Sequence, residues 1–253
     1  MTGDDHVLAR DLAGQAGQRL LELRAQGGDP DVLRKAGDRL SHEFLTAALA
    51  GQRPGDVVLS EEGADNPARL GARRVWIVDP LDGTREFGEP GRSDWAVHVA
   101  LWESDTSDLT AGAVGLPAQD TVLSTLEPPP GPRGDEAPAR IRIVVSRSRP
   151  PSFVRNISGL INAELVPLGS AGAKVAAVIC GEVDAYVHGG GFYEWDTAAP
   201  VAVARAAGLH ASRIDGSALA YNQPDLLMPD ILVCRPAVAG ILLRAIREVT
   251  HAS

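Results

Sequence analysis

A chain of 253 residues, 44% hydrophobic and 23% charged, is long enough to bury one sizeable core or two tightly joined halves, and no apolar run in it approaches the roughly 20 residues of a membrane span. A formal net charge of −9 argues against binding long nucleic acid, which needs a basic surface, but leaves open a small phosphate ester reaching the protein through bound cations. Met1 to His6 is acidic and polar, with neither the basic start nor the apolar stretch of a signal peptide, so a cytoplasmic protein is expected. Cys180 and Cys234 stand singly in apolar contexts and read as buried free thiols, not as a disulfide or a zinc site. The histidines form no paired motif either, which favours hard, oxygen-bound Mg²⁺ over zinc.

In chain order, Leu8, Leu12, Ala16, Leu20 and Leu23 recur at helical spacing and predict a helix from Asp5 to Arg24 that stops at Gly27-Gly28. A second helix is expected to open at Asp38, to bury Leu40, Phe44, Leu45, Ala48 and Leu49, and to break at Gly51 and Pro54-Gly55. Val57 to Ser60 reads as a short strand ending at Glu61-Glu62, and Val75 to Val78 as a buried strand that Pro80 should force out of the sheet. Asp94 to Leu101, Leu109 to Leu116 and Thr121 to Thr125 complete a first half of helices on an antiparallel or mixed sheet. Glu127 to Asp135 is too rich in proline and glycine for regular structure and reads as an exposed loop or hinge. It divides the expected organisation into an N-terminal α+β half, 1–135, with most metal ligands, and a C-terminal α/β half, 136–253, within one catalytic unit. In that second half, strands are expected at 141–145, 184–187 and 231–234, and helices at 151–161, 171–180, 197–207 and 237–249.

The densest chemical signal is Val75-Trp-Ile-Val-Asp79-Pro80-Leu81-Asp82-Gly83-Thr84, a buried strand that delivers two carboxylates, a glycine and a hydroxyl into one turn. Asp-Pro and Asp-Gly are ordinary turn formers, but folding alone rarely ends an apolar strand in so dense a carboxylate cluster. Asp79 and Asp82 are close enough to share cations, the Leu81 carbonyl offers another oxygen, and Gly83 lets backbone N–H groups approach an anion. A carboxylate-nucleophile phosphatase would place its two aspartates with one residue between them; here they are three apart, so metal-activated water is the better reading. Glu61 repeats the strand-then-carboxylate arrangement. Asp196, in Glu194-Trp-Asp-Thr-Ala-Ala199, stands at an expected helix start, where capping alone would account for it, as it would for Asp38. Ser170 and Lys174 read equally as a cap followed by a surface lysine or as contacts to a bound nucleotide.

Taken together, the Asp-Pro-Leu-Asp-Gly-Thr turn, the later Trp-Asp-Thr-Ala-Ala and the glycine-serine segment near Ser170 resemble the lithium-sensitive, magnesium-dependent phosphatases of the inositol monophosphatase superfamily over nearly the whole chain. The resemblance implies an αβαβα layered sandwich of the inositol monophosphatase and sugar phosphatase type. It implies that Glu61, Asp79, Asp82 and Asp196, with the carbonyl of Leu81, bind two or three Mg²⁺ ions. Asp38 and Thr84 would form a dyad that helps activate water, and Glu61 would also serve catalysis. Thr84-Arg85-Glu86-Phe87, Ser146-Arg147-Ser148-Arg149 and Gly169-Ser170 through Lys174 look most like the CysQ-type branch, and its mycobacterial type in particular. That likeness implies hydrolysis of 3′-phosphoadenosine 5′-phosphate, or its sulfated form, in sulfate assimilation. Gly83, Thr84, Arg85, Ser146, Arg147, Ser170, Lys174 and Asp196 would then touch substrate, with Arg147 and Arg149 facing the second phosphate. The alternatives are a broad inositol monophosphatase or fructose 1,6-bisphosphatase, and a non-catalytic phosphoester-binding sensor, whose mark would be a lost ligand. A homodimer is expected from the same resemblance, with neither a membrane nor a nucleic-acid partner. Pro200 and Gly37 depart from the superfamily's usual residues without removing a ligand, and Gly189 to Gly191 occupy the loop where a specificity residue normally sits.

Overall fold

Helix and sheet alternate in five layers, and three apolar clusters fill the spaces between them, one of them lying on both sides of the central helices. The computed structural model describes residues 2–131, 136–148 and 150–251; Pro132 to Asp135 of the proline-rich segment, and Arg149, lie outside the described residues. The first layer is helices α1 (Thr2–Ala25) and α2 (Pro30–Gln52). The expectation that α2 opens at Asp38 is corrected. Its start is Pro30, whose fixed φ suits a first helical position, and the Asp29 carboxylate caps it by accepting from Asp31 and Val32 N–H. Asp38 therefore projects from the body of the helix.

The second layer is a five-stranded mixed sheet in the order β1 (Val57–Ser60), β2 (Arg74–Asp82), β3 (Ala96–Glu103), β4 (Asp108–Leu116) and β5 (Thr121–Ser124). Only β1 and β2 run parallel. Pro80 does not end β2, contrary to the sequence expectation. The register shifts there, Asp79 pairing with His98 and Asp82 with Ala96, so proline falls in a bulge, where its missing N–H is tolerated. A short helix, α3 (Thr84–Gly88), follows the strand.

Helices α5 (Ala171–Ile179) and α6 (Glu194–Ala206) form the central layer. The fourth is a second mixed sheet, ordered β10 (His210–Ser212), β12 (Ile231–Cys234), β8 (Ala185–His188), β6 (Arg142–Ser146) and β7 (Glu164–Leu168). Helices α4 (Ser152–Ile161) and α7 (Pro236–His251) cover its far face, and a two-stranded ribbon, β9 (Phe192–Tyr193) with β11 (Leu227–Met228), leads into α6.

Strand periodicity explains the layering. Trp76 and Val78 point toward Leu12, Leu20 and Leu45 of the first helices, while Val75 and Ile77 point the other way, toward Ala199 and Val203 of α6. Ile143, Val187 and Leu232 likewise turn to Val154, Ile157, Leu242 and Ile246 of α4 and α7. The helices on either side therefore bury β2 on both faces, and its polar end emerges inside the protein. Cys234 is buried as expected; Cys180, at the end of α5, is exposed and corrects the reading of two buried thiols.

Candidate metal centre

Three elements, β1, β2 and α6, bring acidic groups to one place. The bulge at Pro80 turns Asp79 and Asp82 into the same space, although both are almost fully buried. The parallel register of Ser60 with Val78 sets Glu61, the next residue, beside Asp79, and the Glu61 N–H reaches the Val78 carbonyl at 3.4 Å. Asp196 arrives from α6. That helix begins at Glu194, so Asp196 is not the cap but the third helical residue, and its Oδ2 accepts from the Tyr193 N–H at 2.6 Å. One carboxylate oxygen from each of Asp79, Asp82 and Asp196 lies within 4.8 Å of the others.

The turn after β2 docks against α5. Gly83 takes φ +84°, a left-handed conformation, and a Cβ there would also meet the Ser170 Cβ at 2.8 Å. This close approach lets Asp82 accept from Ala171 N–H at 3.2 Å and Gly172 N–H at 2.5 Å, at the positive end of the helix. His98 completes the arrangement from β3. Its Nδ1 donates to the Trp195 carbonyl at 3.0 Å, and its Nε2 lies 3.2 Å from Asp82 Oδ2, a charge contact whose direction is off a hydrogen-bond line. Gly172 makes room for it, since a Cβ there would stand 2.1 Å from that Nε2. On the opposite side, the Thr84 hydroxyl lies 3.2 Å from Asp38 Oδ1 and 3.0 Å from the Leu81 carbonyl, and its single proton serves one of them at a time.

Burial and repulsion between neighbouring carboxylates dominate the electrostatics of the centre. Burial raises Asp79 well above the ordinary carboxylate range, and Glu61, Asp82 and Asp196 push it further. Burial, then repulsion from Asp82, pushes Asp196 up to about 7. Glu61 is exposed as a residue, yet desolvation of its carboxyl group and the charges of Asp82, Glu62 and Asp38 take it to about 7 against a hydrogen bond with Asp79. Asp38 rises to about 6 through burial and Glu62, with the Thr84 hydroxyl opposing. Asp82 alone is lowered: burial would raise it, but His98, the Gly172 N–H and Lys174 outweigh that. Burial and mutual repulsion thus work against ionisation of Asp79, Asp196 and Glu61. Their all-oxygen donor set fits a hard divalent ion, and neither cysteine belongs to it.

The predicted substrate residues fall in three places. Gly83 and Thr84 sit at the centre itself. Ser170 caps α5, accepting from the Ala173 N–H, and Lys174 is buried beneath it, where its Nζ donates to the Gly169 and Ser170 carbonyls and lies 5.4 Å from the Tyr186 ring centroid. Lys174 thus braces the Gly169-Ser170 loop and is not the surface lysine of the simpler reading. Arg147 is held at 2.7 Å by both Glu86 and Glu89, and the exposed Arg85 pairs with Glu89 at 3.1 Å. The Ser146 hydroxyl, at the end of β6, lies 3.4 Å from that of Ser148.

Sequence reasoning missed His98, Asp94 and Glu194. Asp94 pairs with Arg92 and accepts from the Gly169 N–H at 2.6 Å, fixing the same loop that Lys174 braces. Glu194, fully buried, accepts from the N–H groups of Asn222 and Gln223 at the head of α6. His98 left one visible trace, a single polar residue inside the apolar run Ala96 to Leu101.

The fold and the centre together define a class, the layered α/β proteins that gather carboxylates between two sheets to hold divalent cations. The chain belongs to the inositol monophosphatase family, whose sequence model matches residues 8–251. It is 50% identical to the 3′-phosphoadenosine 5′-phosphate phosphatase of Mycobacterium leprae, over 97% of this chain and 94% of that protein. It is 32% identical to the 3′(2′),5′-bisphosphate nucleotidase CysQ of Escherichia coli strain K12, over 83% of this chain and 91% of that one. Among solved structures, inositol monophosphatase II of Staphylococcus aureus superposes with a TM-score of 0.83 at 22% identity, covering 97% of this chain and 96% of that one. CysQ of Bacteroides thetaiotaomicron gives 0.78 at 29% identity, covering 92% and 97%.

Proposed function

We propose that this protein is a Mg²⁺-dependent phosphatase that removes the 3′-phosphate of 3′-phosphoadenosine 5′-phosphate, leaving AMP and inorganic phosphate. The observation that carries the reading is half-identity, along nearly the whole chain, to a relative named for that reaction, together with the carboxylates of Asp79, Asp82 and Asp196 gathered around one space. Glu61, Asp79, Asp82 and Asp196, with the Leu81 carbonyl, would hold two or three Mg²⁺ ions. Such ions supply Lewis acidity at the phosphate and neutralise its charge.

The chain's own groups do the rest. The Thr84 hydroxyl, donating to Asp38, keeps a lone pair with which to accept a proton from the attacking water, and this pair orients that water and passes its proton toward the carboxylate. The P–O bond to the ribose 3′ oxygen breaks and that oxygen takes up a proton. Asp82, fixed by two helix amides and His98, and Asp196, fixed by the Tyr193 N–H, present oxygens that need no reorganisation during the reaction. Arg147 is assigned to the second phosphate, which would compete with Glu86 and Glu89 for its guanidinium group, and Arg85 and Ser146 to other contacts with substrate. Ser170 and Lys174 shape the intervening loop.

No helix among the described residues is long and apolar enough to cross a membrane, and the assigned partners are small phosphate esters. We assign the enzyme to the cytoplasm, as a homodimer inhibited by Li⁺ and acting in sulfate assimilation. The test of the reaction is phosphate release from 3′-phosphoadenosine 5′-phosphate after EDTA treatment and on return of Mg²⁺. Activity lost and then restored supports the assignment, and undiminished turnover in EDTA rejects it.

A further inference from the structure

The carboxylate centre explains how a phosphate is handled but not how a purine is told from another alcohol. One aromatic ring stands in position to do this. Tyr193, three residues before Asp196, donates its backbone N–H to that carboxylate at 2.6 Å, so its side chain starts within one residue's reach of the centre. The ring lies nearly parallel on the Trp195 indole, with centroids 4.8 Å apart and planes 16° apart. Trp195 is buried, and its carbonyl is held by His98, so the lower layer of the stack is fixed.

The Tyr193 residue is nonetheless 43% exposed. With one face on Trp195, what it shows to solvent is the opposite face and the edge of the ring. Its cross-strand neighbour in the β9–β11 ribbon, Leu227, is 50% exposed. Two of the five large apolar side chains exposed among the described residues therefore sit together, one of them three residues before the Asp196 carboxylate. Gly190 and Gly191, just before β9, both have positive φ; Gly190 packs closely on Pro229, whereas a Cβ on Gly191 would meet nothing within 4 Å, so the space beside β9 is open at Gly191. The cross-strand pair leaves apolar surface uncovered at the end of the ribbon. A flat, uncharged, aromatic ligand would cover them, and no carboxylate would repel it.

We propose that the Tyr193 ring is the stacking platform for the adenine base, with Leu227 at its edge, and that it separates nucleotide substrates from polyol phosphates. The proposal rests on the function assigned above and names the part of the substrate that this ring reads. A purine offers a π-face to stack; a saturated, hydroxylated inositol ring does not.

The test uses the full chain with Mg²⁺ and compares wild type, Tyr193→Phe and Tyr193→Ala on 3′-phosphoadenosine 5′-phosphate and on inositol 1-phosphate. Loss of one base–aromatic stack predicts that Tyr193→Ala raises KM for the nucleotide roughly tenfold more than for inositol 1-phosphate, with kcat for the nucleotide little changed, and that Tyr193→Phe restores the wild-type KM. Equal losses on both substrates, or an unchanged nucleotide KM, would overturn it. Quenching of tryptophan fluorescence in the wild-type protein by AMP, absent with inositol 1-phosphate, checks the same point should the alanine variant not fold; equal responses to both ligands count against the platform. A wild type that prefers the nucleotide while Tyr193→Ala keeps its KM refutes the platform alone. A wild type that does not turn over the nucleotide refutes the assigned function and the platform with it.

Discussion

Asp196→Asn should stabilise the metal-free protein at alkaline pH while abolishing activity. Asparagine keeps the shape of Asp196 and an oxygen to accept from the Tyr193 N–H, so the first turn of α6 is preserved, and only the charge is lost. In the folded, metal-free protein that carboxyl group titrates near 7 because burial and Asp82 disfavour its ionised form. A folded pKa above the unfolded one means the group's favourable contribution is complete below about pH 4 and is lost as pH rises through 7. The rise from the ordinary carboxylate value to about 7 corresponds to about 4 kcal/mol; halving it for partial exposure and for protons shared with Asp79 and Glu61 leaves about 2 kcal/mol at pH 8. For a chain of this size that is about 4–8 °C in Tm. Thermal melts in EDTA should therefore place the variant above wild type at pH 8, with the gap much smaller at pH 5. Saturating Mg²⁺ should reverse the order at pH 8, because the ion stabilises only the chain that binds it well. A variant less stable than wild type at pH 8 in EDTA, or one that gains as much from Mg²⁺, would refute the reasoning.

Other consequences follow from the same geometry. His98→Ala removes a group that fixes Asp82, and calorimetric titration with Mn²⁺ should show divalent-ion affinity falling about 10–100-fold, with Gly172→Ala falling in the same direction. Thr84→Val should lower kcat by about 10²-fold or more at unchanged Mn²⁺ affinity, and Thr84→Ser should recover most of it; equal kinetics for both variants would remove Thr84 from proton handling. Burial, then the charge of Lys174, lowers His188 to about 4, so its contribution is intact above pH 6.5 and fades as pH falls toward 4. Replacing His188 by phenylalanine should flatten the fall of Tm over that acidic range, and an unchanged slope would contradict this.

Much of the architecture was legible because strong local signals and tertiary needs agree. The leucine spacing of α1 and the β-branched run of β2 are each read correctly, and the strand-end carboxylates Glu61, Asp79 and Asp82 are found by the same pattern. Misreadings arise where two signals compete. Asp38 looks like a helix start, but Asp29-Pro30 caps and preorganises the chain eight residues earlier. Pro80 looks like a strand end, yet in a bulge it re-aims two side chains without leaving the sheet. Strands β7, β9, β10 and β11 were not foreseen: β7 contains Pro167, and the others are too short to carry a period. The partners of His98, Asp94, Lys174 and Arg147 are set by contacts distant in sequence, such as Arg147 with Glu86, and no local pattern encodes them.

The most direct test of the account is the ratio of kcat/KM for 3′-phosphoadenosine 5′-phosphate to that for inositol 1-phosphate, measured with one preparation in Mg²⁺ and repeated with Li⁺. A ratio far above one, with both activities suppressed by Li⁺ and absent without Mg²⁺, is the predicted result. A ratio at or below one would contradict the nucleotide assignment while leaving the carboxylate centre in place.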